Sequence, residues 1–161
     1  MEKELPKRKS TRLKHFDYSK NGAYFITICT QGRKNILSAI VGEGSPLPQL
    51  SKYGEIMDAW IRKLPNQYPH ISVDHYVIMP NHLHIMVIIS ADEYGRPQVA
   101  PTVERMVKQF KGAVTKKIGA SIWQKSYMEH VIRNKEDYET RSNYIYENPL
   151  RWYYDELYAE E

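Results

Sequence analysis

The chain has 161 residues, 42% of them apolar and 26% charged, with a net charge of +4, which suits a single domain over 1–161 and excludes a disordered polymer. Its one cysteine, Cys29, excludes a disulfide framework and a cysteine metal centre. No run approaches the roughly 18 apolar residues of a membrane span, and MEKELPKRKS lacks the apolar segment of a signal peptide; the expectation is a cytoplasmic protein with no membrane partner.

Residues 1–20 hold seven Lys/Arg against three Asp/Glu and read as a basic arm ending in a turn at Asn21-Gly22. Ala23 to Thr30 is a β-branched and aromatic run of strand length. Val41 to Leu50, with two glycines and two prolines, reads as a loop. A helix is expected from Ser51 to about Leu64, with Ile56, Ala59, Trp60 and Leu64 on one face and Pro65 as its stop. Ile71–Ile78 and His82–Ile89, joined by Met79-Pro80-Asn81, read as an antiparallel hairpin.

A second helix is expected from Pro101-Thr102, with Val103, Met106, Val107, Phe110 and Val114 on one side and Lys108, Lys111, Lys116 and Lys117 elsewhere. A strand around Tyr127 to Ile132 follows. Asn134 suits an N-cap, with Glu136 and Asp137 in the first turn, for a helix that Pro149 should end at Asn148. The fold class is therefore α+β: a ferredoxin-like (RRM-like) antiparallel sheet, helices on one face, and an added C-terminal helix. Bases outnumber acids five to one over Pro101 to Ile118, while acids outnumber bases eight to three over 134–161. Basic patches beside an acidic tail point to a nucleic-acid partner, because phosphate neutralisation supplies most non-specific affinity.

His82-Leu83-His84 is the sharpest local feature. Residues two apart share one face of a strand, so the pair offers half of a divalent-metal site. His75, on the other hairpin strand, reads as a polar face residue. In the last helix, Tyr144 and Asn148 are spaced i and i+4 and share a face. A tyrosine hydroxyl can attack phosphorus once the phosphate charge is neutralised, and an amide oxygen one turn on can ligate the neutralising metal. Among thirteen tyrosines that spacing is unspecific alone.

Val77-Ile78-Met79-Pro80-Asn81-His82-Leu83-His84-Ile85-Met86-Val87 resembles the strand pair of the HUH single-tyrosine transposases, named for their His-hydrophobic-His element. Tyr144-Ile145-Tyr146-Glu147-Asn148-Pro149-Leu150-Arg151 resembles the tyrosine helix of one branch, the REP-associated tyrosine transposases. Arg8-Lys9-Ser10, Tyr24 to Thr30, Trp123-Gln124 through Tyr127 and His130 to Arg133 match in the same order, so the resemblance covers nearly the whole chain. The amide after the tyrosine is usually glutamine in insertion-sequence relatives, and asparagine followed by proline marks the REP-associated branch.

The resemblance implies a single-stranded DNA endonuclease and strand transferase acting at hairpin-forming palindromic repeats. It makes Tyr144 the nucleophile of a 5′-phosphotyrosine link, and His82, His84 and Asn148 the ligands of Mg²⁺ or Mn²⁺. Lys7, Arg8, Lys9, Arg12, Lys108 and Lys111 are the candidate DNA contacts. Monomer and homodimer both stay open. One rival reading is a non-catalytic single-stranded nucleic-acid-binding module, stacking bases on Tyr24, Phe25 and Tyr76 of an open sheet face. Another is a small metallohydrolase, which needs more ligands than two histidines and an amide; the carboxylates lie mainly in the acidic tail.

Overall fold

The computed structural model describes residues 21–41, 47–90 and 100–160. The basic arm over 1–20, and with it Lys7, Arg8, Lys9 and Arg12, lies outside the described residues. The elements are β1 (Asn21–Cys29), β2 (Ser38–Ala39), β3 (Gln49–Leu50), α1 (Lys52–Gln67), β4 (Ile71–Ile78), β5 (His82–Ser90), α2 (Ala100–Ile118), β6 (Met128–Val131) and α3 (Lys135–Glu147). Four strands form one antiparallel sheet in the order β4-β5-β1-β6. β2 and β3 make a separate two-stranded ribbon. This is the ferredoxin-like arrangement read from the element order, with α3 added.

Alternation along the strands builds two cores. Tyr24, Ile26 and Ile28 of β1 join Leu83, Ile85 and Val87 of β5 beneath α1 and α2, which contribute Met57, Ile61, Leu64, Val103, Met106, Val107, Phe110 and Val114. On the opposite face, Ala23, Phe25, Val77 and Met86 pack with Ile145 of α3 and Trp152 beyond it. Neither face of the sheet is left open for base stacking by the three aromatics named above. Tyr24 and Phe25 are buried, and the Tyr76 hydroxyl donates to Asp58. Among the described residues no helix is long and apolar enough to cross a membrane.

Several local expectations are corrected. Asn21-Gly22 is not a turn: both residues pair with β5, opposite Ser90 and Ile89, so sheet pairing overrides the turn propensity of the dipeptide. Part of the expected 41–50 loop is strand, since Gln49–Leu50 pairs with Ser38–Ala39. Pro65 lies inside α1, which runs on to Gln67; in the last turn a proline forfeits one amide bond only, and the Tyr68 amide closes the end on the Leu64 carbonyl at 2.8 Å.

The buried stripe of α1 is Gly54, Met57, Ile61 and Leu64, rotated from the one expected, with Ala59 exposed. Gly54 fixes that rotation, because a Cβ there would sit 2.2 Å from the Leu37 carbonyl oxygen. Finally, Pro149 does not push Asn148 out of helical geometry. Asn148 stays right-handed helical (φ −55°, ψ −44°), and a 3₁₀ turn, Pro149–Tyr154, continues directly from α3.

Candidate active site

β5 is paired on both sides, to β4 and β1, so the pleat holds His82 and His84 side by side. Their ring centroids are 4.5 Å apart and both rings are buried. His75 stays exposed on β4, its ring 6.1 Å from that of Tyr138.

Each imidazole has its Nδ1 engaged. Asn81 Nδ2 donates to the Leu157 carbonyl at 2.6 Å, which turns Asn81 Oδ1 toward His82 Nδ1 at 2.7 Å. Nδ1 therefore carries the proton and Nε2 the lone pair. His84 Nδ1 lies 2.7 Å from Thr27 Oγ1, while its buried Nε2 has no hydrogen-bond partner among the described residues. Burial pushes His82 down from 6.5 to about 4, against the opposing pull of Asp155 and of the Asn148 bond. Burial first, then the charges of His82 and Arg141, push His84 well below its ordinary value. Both rings are neutral at physiological pH, the state that ligates a cation.

α3 brings the second half of the site. Asn134 caps it, its side chain accepting from the Asp137 amide at 2.8 Å. Asp137 in turn takes a hydrogen bond from His130 Nε2 at 2.8 Å and from the Arg133 amide at 3.0 Å, tying the helix start to β6. The sheet side meets it too: the β4 register shifts between Val73 and His75, and Asp74 at that irregularity accepts the Tyr138 hydroxyl at 2.6 Å. Tyr144 and Asn148 then face the histidines from one side of the helix. The Tyr144 ring is 5.3 Å from that of His84 and 6.1 Å from that of Phe25. Asn148 is buried, its Oδ1 3.4 Å from His82 Nε2, and its Nδ2 donates to Asp155 Oδ2.

Asp155 carried no signal as a site residue in the sequence; it was one acid of an acidic tail. The 3₁₀ turn after α3 buries Trp152 and returns the Asp155 carboxylate to within 3.9 Å of His82 Nε2, with its side chain 1% exposed. Ligand atoms of His82, His84 and Asp155 all lie within 4.8 Å of one another. One carboxylate of the acidic tail thus reaches the histidines.

His82 Nε2, Asn148 Oδ1 and a carboxylate oxygen of Asp155 come together beside the His84 ring, the Asn148 Nδ2–Asp155 hydrogen bond lying within the set. That set fits a divalent cation. A cavity of about 800 Å³ opens beside it, lined by Phe25, Arg33, His84, Tyr127, Arg141 and Tyr144 among others. Tyr144, 41% exposed, is pushed up to about 12 by burial and by Asp155 and Glu156, with Arg141 opposing.

The two arginines were not singled out from sequence, and their signals differ. Arg33 has left-handed geometry (φ 53°) after Gly32 at φ 65°, an unfavourable state for a side-chain-bearing residue. Arg141 lies over the Phe25 ring at 5.3 Å, one turn before Tyr144. Of the two α2 lysines expected at DNA, Lys108 is exposed. Lys111 Nζ donates to the Gln124 carbonyl at 2.7 Å and the Ser126 carbonyl at 3.2 Å, so it anchors a segment that lines the cavity.

No family model matches the chain. A Haemophilus influenzae protein without an assigned function is 33% identical over 95% of this chain and 94% of its own. The Escherichia coli REP-associated tyrosine transposase is 27% identical over 83% of this chain and 70% of its own. The fold is shared with a solved REP-associated tyrosine transposase bound to a REP hairpin: TM-score 0.59, 24% identity, 88% of this chain and 74% of that one covered.

Proposed function

Because this chain belongs to the REP-associated tyrosine transposases, we propose that it cleaves and rejoins single-stranded DNA at hairpin-forming repeats. Tyr144 is the nucleophile, and His82, His84 and Asn148 hold Mg²⁺ or Mn²⁺. The observation that carries the reading is the meeting of Tyr144 with His84 at the wall of one cavity, the His82 ring lying 4.5 Å from that of His84.

A cation held by His82, His84 and Asn148 would supply charge neutralisation to the scissile phosphate. Everything else belongs to the chain. Phe25 and His84 set the position of the Tyr144 ring. Its hydroxyl oxygen forms a bond to phosphorus as the bond from phosphorus to O3′ breaks; the tyrosine proton leaves to solvent, and O3′ takes the electron pair and a proton. The phosphotyrosine keeps the phosphodiester's bonding energy, so the reverse attack by a 3′-hydroxyl rejoins the strand without ATP. Arg33 and Arg141 face the cavity and suit phosphate contacts, with Lys7, Arg8, Lys9, Arg12 and Lys108 as contacts further along the strand. Lys111 contributes through the segment it anchors.

The test is a denaturing-gel assay for a covalent protein–DNA adduct. Labelled single-stranded hairpin oligonucleotides from repeats flanking the chain's own gene are mixed with protein in Mn²⁺ or EDTA. A metal-dependent adduct absent in Tyr144→Phe and His82→Ala is expected. Tight binding with no adduct in any metal would favour the non-catalytic module, and an adduct that survives Tyr144→Phe would move the nucleophile to Tyr138.

A further inference from the structure

Asp155 lies in a hydrogen-bond geometry that a merely structural tail residue does not need. Its Oδ1 accepts the Leu157 amide at 2.8 Å, and its own amide donates to the Trp152 carbonyl at 3.0 Å. Those two bonds suffice to close the turn. The second oxygen, Oδ2, is directed inward, to Asn148 Nδ2 and toward His82 Nε2. A carboxylate buried to this degree is costly without positive charge beside it, and the groups its inner oxygen faces, the Asn148 amide and the His82 ring 3.9 Å away, bring no fixed positive charge.

Beside it, His84 belongs to the same cluster, and its buried Nε2 has no hydrogen-bond partner among the described residues. Donors about 2.1 Å from a hard divalent cation lie about 3.0–4.2 Å apart, so a cluster already within 4.8 Å needs only a small contraction.

We propose that Asp155 is the anionic ligand of the cation site, and that its second task is to hold the Asn148 amide with the oxygen toward the histidines. The inference rests on the functional reading above and deepens it. Two imidazoles and an amide bring no charge to a dication, whereas a carboxylate brings one and adds a hard oxygen of the kind Mg²⁺ and Mn²⁺ favour. The acidic tail thus supplies a member of the site as well as surface charge. Glu156 and Leu157, which follow it, line the cavity too.

Mn²⁺ binding to the full-length protein, measured in the absence of DNA, tests this without reading activity. The electron paramagnetic resonance signal of free Mn²⁺ counts the ion left in solution. Wild type, Asp155→Asn, Asp155→Ala, Asn148→Ala, the Asp155→Asn/Asn148→Ala pair and His82→Ala are titrated, with thermal melts of each metal-free protein as a folding control.

Asp155→Asn is expected to weaken Mn²⁺ by about 10–100-fold, and to weaken it again by about tenfold or more in the Asn148→Ala background, because a ligand acts independently of the amide it orients. Asp155→Ala replaces it if the asparagine variant unfolds, and the same loss is expected. Affinity within twofold of wild type for either variant overturns the proposal. So does a loss that vanishes in the Asn148→Ala background, which would leave Asp155 as a positioning residue alone. If instead wild type and His82→Ala bind Mn²⁺ equally, the histidine site itself falls, a failure distinct from that of Asp155.

Discussion

The two faces of the sheet are made by the same strands and solve different problems. Under α1 and α2, β5 presents Leu83, Ile85 and Val87 to an apolar core closed by two helices with continuous apolar stripes. Under α3, the intervening residues are His82, His84 and Met86, and the helix buries only Ile145 along its length. That helix is held by a cap, a carboxylate shared with β6, a tyrosine–aspartate bond and Trp152. One face is stabilised by burial of area, which tolerates repacking. The other is stabilised by individual polar bonds, which place atoms but leave little stability in reserve.

The largest effect that would break this contrast lies at adjacent residues. Leu83→Ala should lower stability by about 2–5 kcal/mol in a denaturant titration while leaving adduct yield per folded molecule unchanged. His84→Gln keeps a polar partner for Thr27, so it should cost about 1 kcal/mol and remove the adduct. Equal stability losses at the two positions would mean that the faces are not energetically distinct.

Acid sharpens the contrast next. The unfolded chain takes up protons near pH 6.5, whereas buried His82 resists them until about pH 4 and His84 is likewise held well below its ordinary value. The stability conferred by holding these rings neutral is complete above pH 6.5 and is lost as the pH falls toward 4. Metal-free protein should therefore melt lower at pH 5 than at pH 7, by about 2–4 °C for each kcal/mol lost. A flat Tm across that range would show that the rings are hydrated.

Asn134→Ala removes the α3 cap and should cost about 1 kcal/mol, read as a Tm shift. It should also slow adduct formation, because the capped helix carries Tyr144. Smallest is Arg33→Gly. Relief of left-handed strain, about 1–2 kcal/mol, outweighs the added freedom of the unfolded chain, about 0.4–1 kcal/mol, so stability should rise slightly while hairpin affinity in a filter-binding assay falls.

What could be read from the sequence follows the range of the interactions. His-x-His is legible because strand alternation is local, and the α2 stripe and the Asn134 cap are legible for the same reason. The α1 face was misread because its rotation is set by Gly54 against the Leu37 carbonyl, a contact from outside the helix. The end of α3 at Asn148 is legible from Pro149, but the helical geometry of Asn148 is not, because a 3₁₀ turn can accept a proline at its first position. Asp155 was invisible: nothing within several residues distinguishes it from Glu156, and only the turn around Trp152 selects which acid returns to the histidines. Arg33 and Arg141 were invisible for the same reason, since their shared cavity joins segments far apart in sequence.

The helical geometry of Asn148 bears on how such a site can diversify. Because Asn148 stays helical as α3 passes into the following turn, the nucleophile, the amide and the carboxylate lie on one short chain segment, 144–155, while the histidines are fixed in a strand bonded on both edges. Changes within that piece can alter reach and ion preference together without disturbing the sheet. The histidine spacing offers no such freedom, so evolutionary or laboratory tuning of this site has its accessible variables beyond Tyr144 rather than between the two imidazoles.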